Sequence, residues 1–165
     1  MNWAALKIIG SRALAFVSTL MMSLAIVGSL PKFKERRQRY FASAATTGSV
    51  PRLQLLHLAG AKVNSRGAGS PPLFLAAGEG RLNAVRYLLD EGAEVNLQTQ
   101  HGSTALTEAT FYGHLPVIKE LLMHGADVNV LSNDGTPLDI AISRKDPAVI
   151  ELLKHYGARR ASELQ

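Results

Sequence analysis

No cysteine occurs in the 165 residues, which excludes disulfide frameworks, thiolate metal sites, thiol nucleophiles and lipid anchors attached through Cys. Charge is sparse, at 19% Asp, Glu, Lys and Arg, and it is unevenly placed. Residues 1–39 hold seven basic groups against Glu35 alone, a net +6, while the rest of the chain holds eleven basic and twelve acidic groups, a net −1. The basic balance therefore belongs to the N-terminal segment. The body has no basic excess to form the clustered face that sequence-independent nucleic-acid binding needs, so no nucleic-acid partner is expected.

Catalytic signatures are missing as well. Nothing reads as G-x-S-x-G or as a phosphate-binding P-loop, and Gly67-Ala68-Gly69 is G-x-G only, which a tight loop explains. His57, His101, His114, His124 and His155 never stand two to five residues apart, the spacing of paired metal ligands. Asp90, Glu91 and Glu94 fall at helix ends and turns with no acid and base to pair. The expectation is a non-enzyme with no cofactor and no metal.

The one long uncharged run is Ala13 to Leu30, ALAFVSTLMMSLAIVGSL. As a helix it spans roughly 27 Å, just short of a ~30 Å hydrocarbon core. It reads as a retained single-span anchor, as a cleaved secretory signal with Lys7 and Arg12 as its basic flank, or as a buried core helix. Cleavage is disfavoured by the lack of an A-x-A-like site and by Lys32, Lys34, Arg36, Arg37 and Arg39, which follow at once and resist translocation. The same five cations outnumber those ahead of the run and place the C-terminal side in the cytoplasm. They are also candidates for contact with anionic lipid headgroups.

The remainder repeats itself. GAKVN (60–64), GAEVN (92–96) and GADVN (125–129) recur, and Gly157-Ala158 begins a fourth copy, at steps of 32, 33 and 32 residues. Ahead of them stand Pro72-Leu73, Ala105-Leu106 and Pro137-Leu138, followed by small Ala76, Ala109 and Ala141. Gly48, Gly80 and Gly113 precede apolar stretches ending in Leu55-Leu56, Leu88-Leu89 and Leu121-Leu122. Pro suits the first turn of a helix, and Gly92, Gly125 and Gly157 stop the second helices by taking the left-handed conformation that other residues resist.

On these residues the chain resembles the ankyrin repeat family, whose unit of about 33 residues is a turn followed by two antiparallel helices. Thr136-Pro137-Leu138 keeps the T-P-L start and Thr104-Ala105-Leu106 keeps part of it. The His of that signature is replaced by Phe74, Thr107 and Asp139, which removes the hydrogen bond it makes between repeats in the family. The resemblance implies an all-α helix-turn-helix solenoid of about four units behind a single N-terminal hydrophobic helix, transmembrane or signal.

The expected boundaries are a basic flank (1–12), the hydrophobic helix (13–30), a basic juxtamembrane linker (31–39), a repeat domain (40–160) with units about 40–64, 65–96, 97–129 and 130–158, and a tail (161–165). The first unit reads as degenerate. Arg36 to Arg39 at one end and Arg159 to Glu163 at the other supply the polar caps that a repeat stack needs. The resemblance further implies a protein partner, met by hairpin tips and the exposed side of the first helices. Those positions are Arg66, Gln98, Gln100, His101, Leu131 and Asn133 at the tips, and Glu79, Phe111, Tyr112 and Arg144 on the helices. The functional expectation is a membrane-tethered interaction module or scaffold facing the cytoplasm; the alternative is an exported periplasmic or secreted binding or stress-protection protein freed by signal cleavage.

Overall fold

The computed structural model describes residues 31–66 and 69–164. The N-terminal flank, the run Ala13–Leu30, the Gly67-Ala68 pair and Gln165 lie outside the described residues. Among the described residues eight helices follow one another: α1 (Pro31–Thr47), α2 (Val50–Leu58), α3 (Pro72–Gly78), α4 (Leu82–Asp90), α5 (Ala105–Tyr112), α6 (Leu115–Met123), α7 (Pro137–Arg144) and α8 (Pro147–His155). A short 3-10 turn, Ala161–Glu163, closes the chain. The repeats lie in the compact unit Arg37–Gln165. Among the described residues no helix is long and apolar enough to cross a membrane.

Helix ends are written into the sequence. Thr104 caps α5 and Thr136 caps α7, each exchanging hydrogen bonds with the residue three positions on, Thr107 or Asp139, which satisfies backbone groups the first turn leaves free. Proline opens α3 and α7, where a missing N–H costs nothing. Gly113 ends α5 with φ +73°. In the fourth unit Lys145 holds the same conformation, at φ +56°, without glycine's freedom to adopt it.

Equivalent positions of successive units build one core. Phe41, Leu73, Leu106 and Leu138 are buried at one register of the first helices, and Ala44, Ala76, Ala109 and Ala141 at another. The alanines carry no more than a methyl group, so neighbouring first helices approach closely. Leu53, Val85 and Ile118 with Leu88, Leu121 and Leu153 fill the second-helix side, each full burial stabilising by roughly 1.5–3 kcal/mol.

Polar side chains then tie each unit to the next. Asn64 Oδ1 accepts the Glu94 N–H at 2.9 Å, Asn96 Oδ1 that of Asp127 at 2.7 Å, and Asn129 Oδ1 that of Arg159 at 2.7 Å. Each asparagine also donates to the carbonyl of the following Gly92, Gly125 or Gly157. At the first unit Gln38 meets the corresponding N–H, accepting from Lys62 N at 3.0 Å and donating to Lys62 O at 2.7 Å. His114 Nε2 bonds the Gly78 carbonyl at 2.8 Å and Arg81 Nε donates to the Thr46 carbonyl at 3.1 Å. Gly80 makes room for the first of these, since a Cβ there would stand 2.7 Å from His114 Nδ1.

Expectations change at particular points. Residues 31–39 are not a linker but the N-terminal half of α1, because Pro31 can start a helix and Lys, Glu, Arg and Gln propagate one well. The first unit has both helices, and α1 runs 17 residues against seven or eight in α3, α5 and α7. Losing the signature His does not leave every unit unlinked, because Asp139 in its place accepts from Ala161 N at 2.9 Å and Arg160 Nε at 3.1 Å. Burial alone would push the Asp139 carboxyl up, but these donors and Thr136 hold it at about 2.

Candidate protein-interaction surface

At the C-terminal end of α5 the sequence places Phe111 and Tyr112, where the other units carry Thr46-Thr47, Gly78-Glu79 and Ser143-Arg144. Their rings meet edge to face with centroids 5.1 Å apart. They are 41% and 54% exposed, so neither is absorbed by the adjacent unit. The Arg144 guanidinium of the fourth unit lies 4.8 Å from the Phe111 centroid, within the range of cation–π attraction. On the other side Tyr112 stacks on His114 at 6.2 Å, and His114 is itself fixed to the Gly78 carbonyl. Two large, partly apolar rings are thus held from both sides with their remaining faces open.

One turn earlier on the same helix stands Glu108, which sequence reasoning missed. Its register is that of Leu75 and Ile140, and a carboxylate interrupting that apolar position was the available signal. Gly78 admits it, because a Cβ there would come within 2.9 Å of Glu108 Cγ. Burial first, and then the nearby charge of Asp134, push the Glu108 carboxyl above the usual carboxylate range.

The tip residues form a separate group. Arg66 Nη2 donates to the Gln98 carbonyl at 2.7 Å, and the Asn133 N–H donates to the His101 carbonyl at 3.2 Å, so successive loops brace one another. Gln98, Gln100, His101, Leu131 and Asn133 are exposed. Glu79 is exposed and lies 4.0 Å from Arg81. The ten expected partner-binding residues therefore fall at two ends of the first helices, six at the N-terminal loops and four at the C-terminal ends, roughly 12 Å apart for eight helical residues. Two of them have internal bonds that narrow their freedom: Arg66 on Gln98 and Arg144 on Phe111.

A second omission is an ion pair between units. Glu120 is nearly enclosed, and its carboxylate takes Arg86 Nε at 2.8 Å with His124 Nδ1 3.7 Å away. His124 Nδ1 also lies 2.9 Å from the Glu120 carbonyl, a bond within the last turn of α6. His57 lies 3.4 Å from Glu91 in the next unit and 3.1 Å from the Ala61 carbonyl. Among the described residues no group of three or more His, Asp or Glu is placed to hold a metal ion.

Residues 41–132 match the family described as ankyrin repeats in three copies. The chain belongs to the ankyrin repeat family. The helix pair α7 and α8 lies beyond the matched stretch. No curated protein matches the chain. Its ankyrin repeats make it a protein–protein interaction module, and the family is in general non-enzymatic.

Proposed function

We propose that this ankyrin domain captures a protein partner on the side formed by its first helices, with Phe111 and Tyr112 as the anchor. The observation that carries this reading is the open, braced aromatic pair, since large aromatics at the centre of a face contribute disproportionately to binding. Glu79 and the tip residues Gln98, Gln100, His101, Leu131 and Asn133 form the rim, where contacts add complementarity more than energy. This face suits a partner with a groove or apolar side chain that accepts two rings.

The uncharged run Ala13–Leu30 and its basic flank support a finer reading, in which the chain is a single-pass membrane protein whose repeats face the cytoplasm. Holding the domain at a bilayer raises the local concentration of its partner there. Lys32, Lys34, Arg36 and Arg39 would meet anionic headgroups; Arg37, expected among them, instead donates from Nη1 to the Ala59 carbonyl at 2.7 Å.

The test places a photo-crosslinking amino acid at 111, at 112 and, as control, at the exposed Met123 on the second-helix side, in the full chain in its own cells. Adducts at 111 and 112 support the reading, and adducts at 123 alone overturn it. Replacing each aromatic by Ala is expected to weaken capture by ~1 kcal/mol or more. A C-terminal tag protected from external protease, on a full-length band in the membrane fraction, supports the anchored topology; a digested or shortened band supports export.

A further inference from the structure

The first unit of the stack is closed to a preceding repeat yet still carries an uncovered apolar face. A preceding unit would offer an asparagine to Lys62, but Gln38 already holds both the N–H and the carbonyl of that residue. Apolar side chains stand among the registers that face a preceding unit. Leu55 stands where Glu120 reaches across to Arg86 of the unit before it, and Leu55 is 69% exposed. Leu58, one turn on along the same side of α2, is 86% exposed, and Tyr40 on α1 is 59% exposed. Tyr40, Ser43, Ala44, Arg52, Leu55 and Leu56 line a recess of about 340 Å³. Arg52 is one of these lining residues and Arg39 directly precedes Tyr40 on α1; both are exposed, and neither joins an ion pair among the described residues.

We infer that this end face is a docking surface for an anionic lipid bilayer. Exposed Leu and Tyr side chains with Arg beside them are the pattern that buries apolar groups at the headgroup boundary while the cations meet lipid phosphates and carboxylates. A second copy is disfavoured as occupant, because two such faces would bring Arg39 and Arg52 against their own kind. A further repeat is disfavoured because the Lys62 N–H, to which its asparagine would offer an acceptor, is already bonded to Gln38. The sequence supplies the last point: the uncharged run ends at Leu30, nine residues before Arg39, and those nine residues include three further cations besides Arg37. The inference rests on the membrane association proposed above, but it does not need the spanning anchor, and it concerns a different surface with its own readout.

The absence of cysteine allows a single Leu55→Cys in the full chain to carry an environment-sensitive fluorophore, with Leu131→Cys as the control at the exposed hairpin tip. The labelled chain is reconstituted with vesicles of phosphatidylcholine plus phosphatidylserine, and with vesicles of phosphatidylcholine alone, and its flotation is recorded. A label at 55 that is quenched by lipid-borne quencher and shielded from water-soluble quencher in the anionic vesicles, while 131 stays in water, is the expected result. Arg39→Gln and Arg52→Gln are each expected to lower the docked-to-free ratio about fivefold, the equivalent of about 1 kcal/mol per charge. If the chain floats with both vesicles while position 55 is as wet as 131, the docking face is overturned and the tether stands. Flotation with anionic vesicles alone, with 55 in lipid, supports docking and overturns the spanning anchor. A chain that floats with neither overturns both. Shielding of 55 without lipid quenching identifies a protein cover and overturns the lipid assignment.

Discussion

Asn96 and Asp127 are joined across two repeats by a 2.7 Å hydrogen bond from the Asp127 N–H to the asparagine Oδ1, while the same side chain donates to the Gly125 carbonyl at 3.2 Å. One amide thus serves both an N–H and a C=O in the loop of the next unit. Asn96→Ala is expected to destabilise the domain by about 1–2 kcal/mol, two exposed bonds of modest net value, read as a lower urea midpoint. Asn96→Asp would not rescue it, because the second carboxylate oxygen would face the Gly125 carbonyl.

Lys145 ends α7 with φ +56°, where the equivalent residue Gly113 pays no such strain. Lys145→Gly is expected to raise stability by about 1 kcal/mol, the cost of a side chain in the left-handed region. Gly113→Ala should do the reverse, with φ +73° and a new Cβ 3.3 Å from Asp146 Oδ2. Thermal unfolding of the two variants checks the pair of opposite signs.

Thr110 is 1% exposed and its Oγ1 has no hydrogen-bond partner. The equivalent positions hold Ala45, Ala77 and Ile142, so the site is apolar by register. Thr110→Val removes the unsatisfied hydroxyl at nearly constant shape and is expected to stabilise by about 1 kcal/mol. Thr110→Ser keeps the hydroxyl, loses the methyl and should destabilise; equal effects of the two in chemical denaturation would contradict this account.

Asp139 sets an acid limit on the last unit. Its carboxyl is held at about 2 in the fold, against an ordinary value of about 3.9. A depressed folded value means that stability is fully present above about pH 4 and is lost as pH falls from about 4 to about 2. With solvent screening allowed for, the contribution is about 1 kcal/mol. Asp139→Asn should remove it at neutral pH and flatten the wild-type loss between those limits, measured by denaturation across the pH series.

Much of the fold was legible because the repeat writes its own punctuation. The glycines at 92, 125 and 157 and the prolines at 72 and 137 act through neighbours in sequence, so spacing alone located those helix ends. The polar linkage was less legible. Asn64, Asn96 and Asn129 were visible as part of a motif, but their partners lie about 30 residues away, and only the stacking register brings them together. The partner surface divided in the same manner: Phe111 and Tyr112 stood out as residue types, whereas Glu108 is notable only for what surrounds it.

The sequence by itself determined the repeat, its period, the helix signals and the segregation of positive charge before residue 40, since each rests on local propensity, composition or recurrence. Tertiary structure alone decided that Gln38 would close the first unit in place of an asparagine, that Arg144 would brace Phe111, and that Leu55 and Tyr40 would remain uncovered. Those outcomes depend on which side chains face one another across successive units, and that is fixed by how whole helices pack against each other.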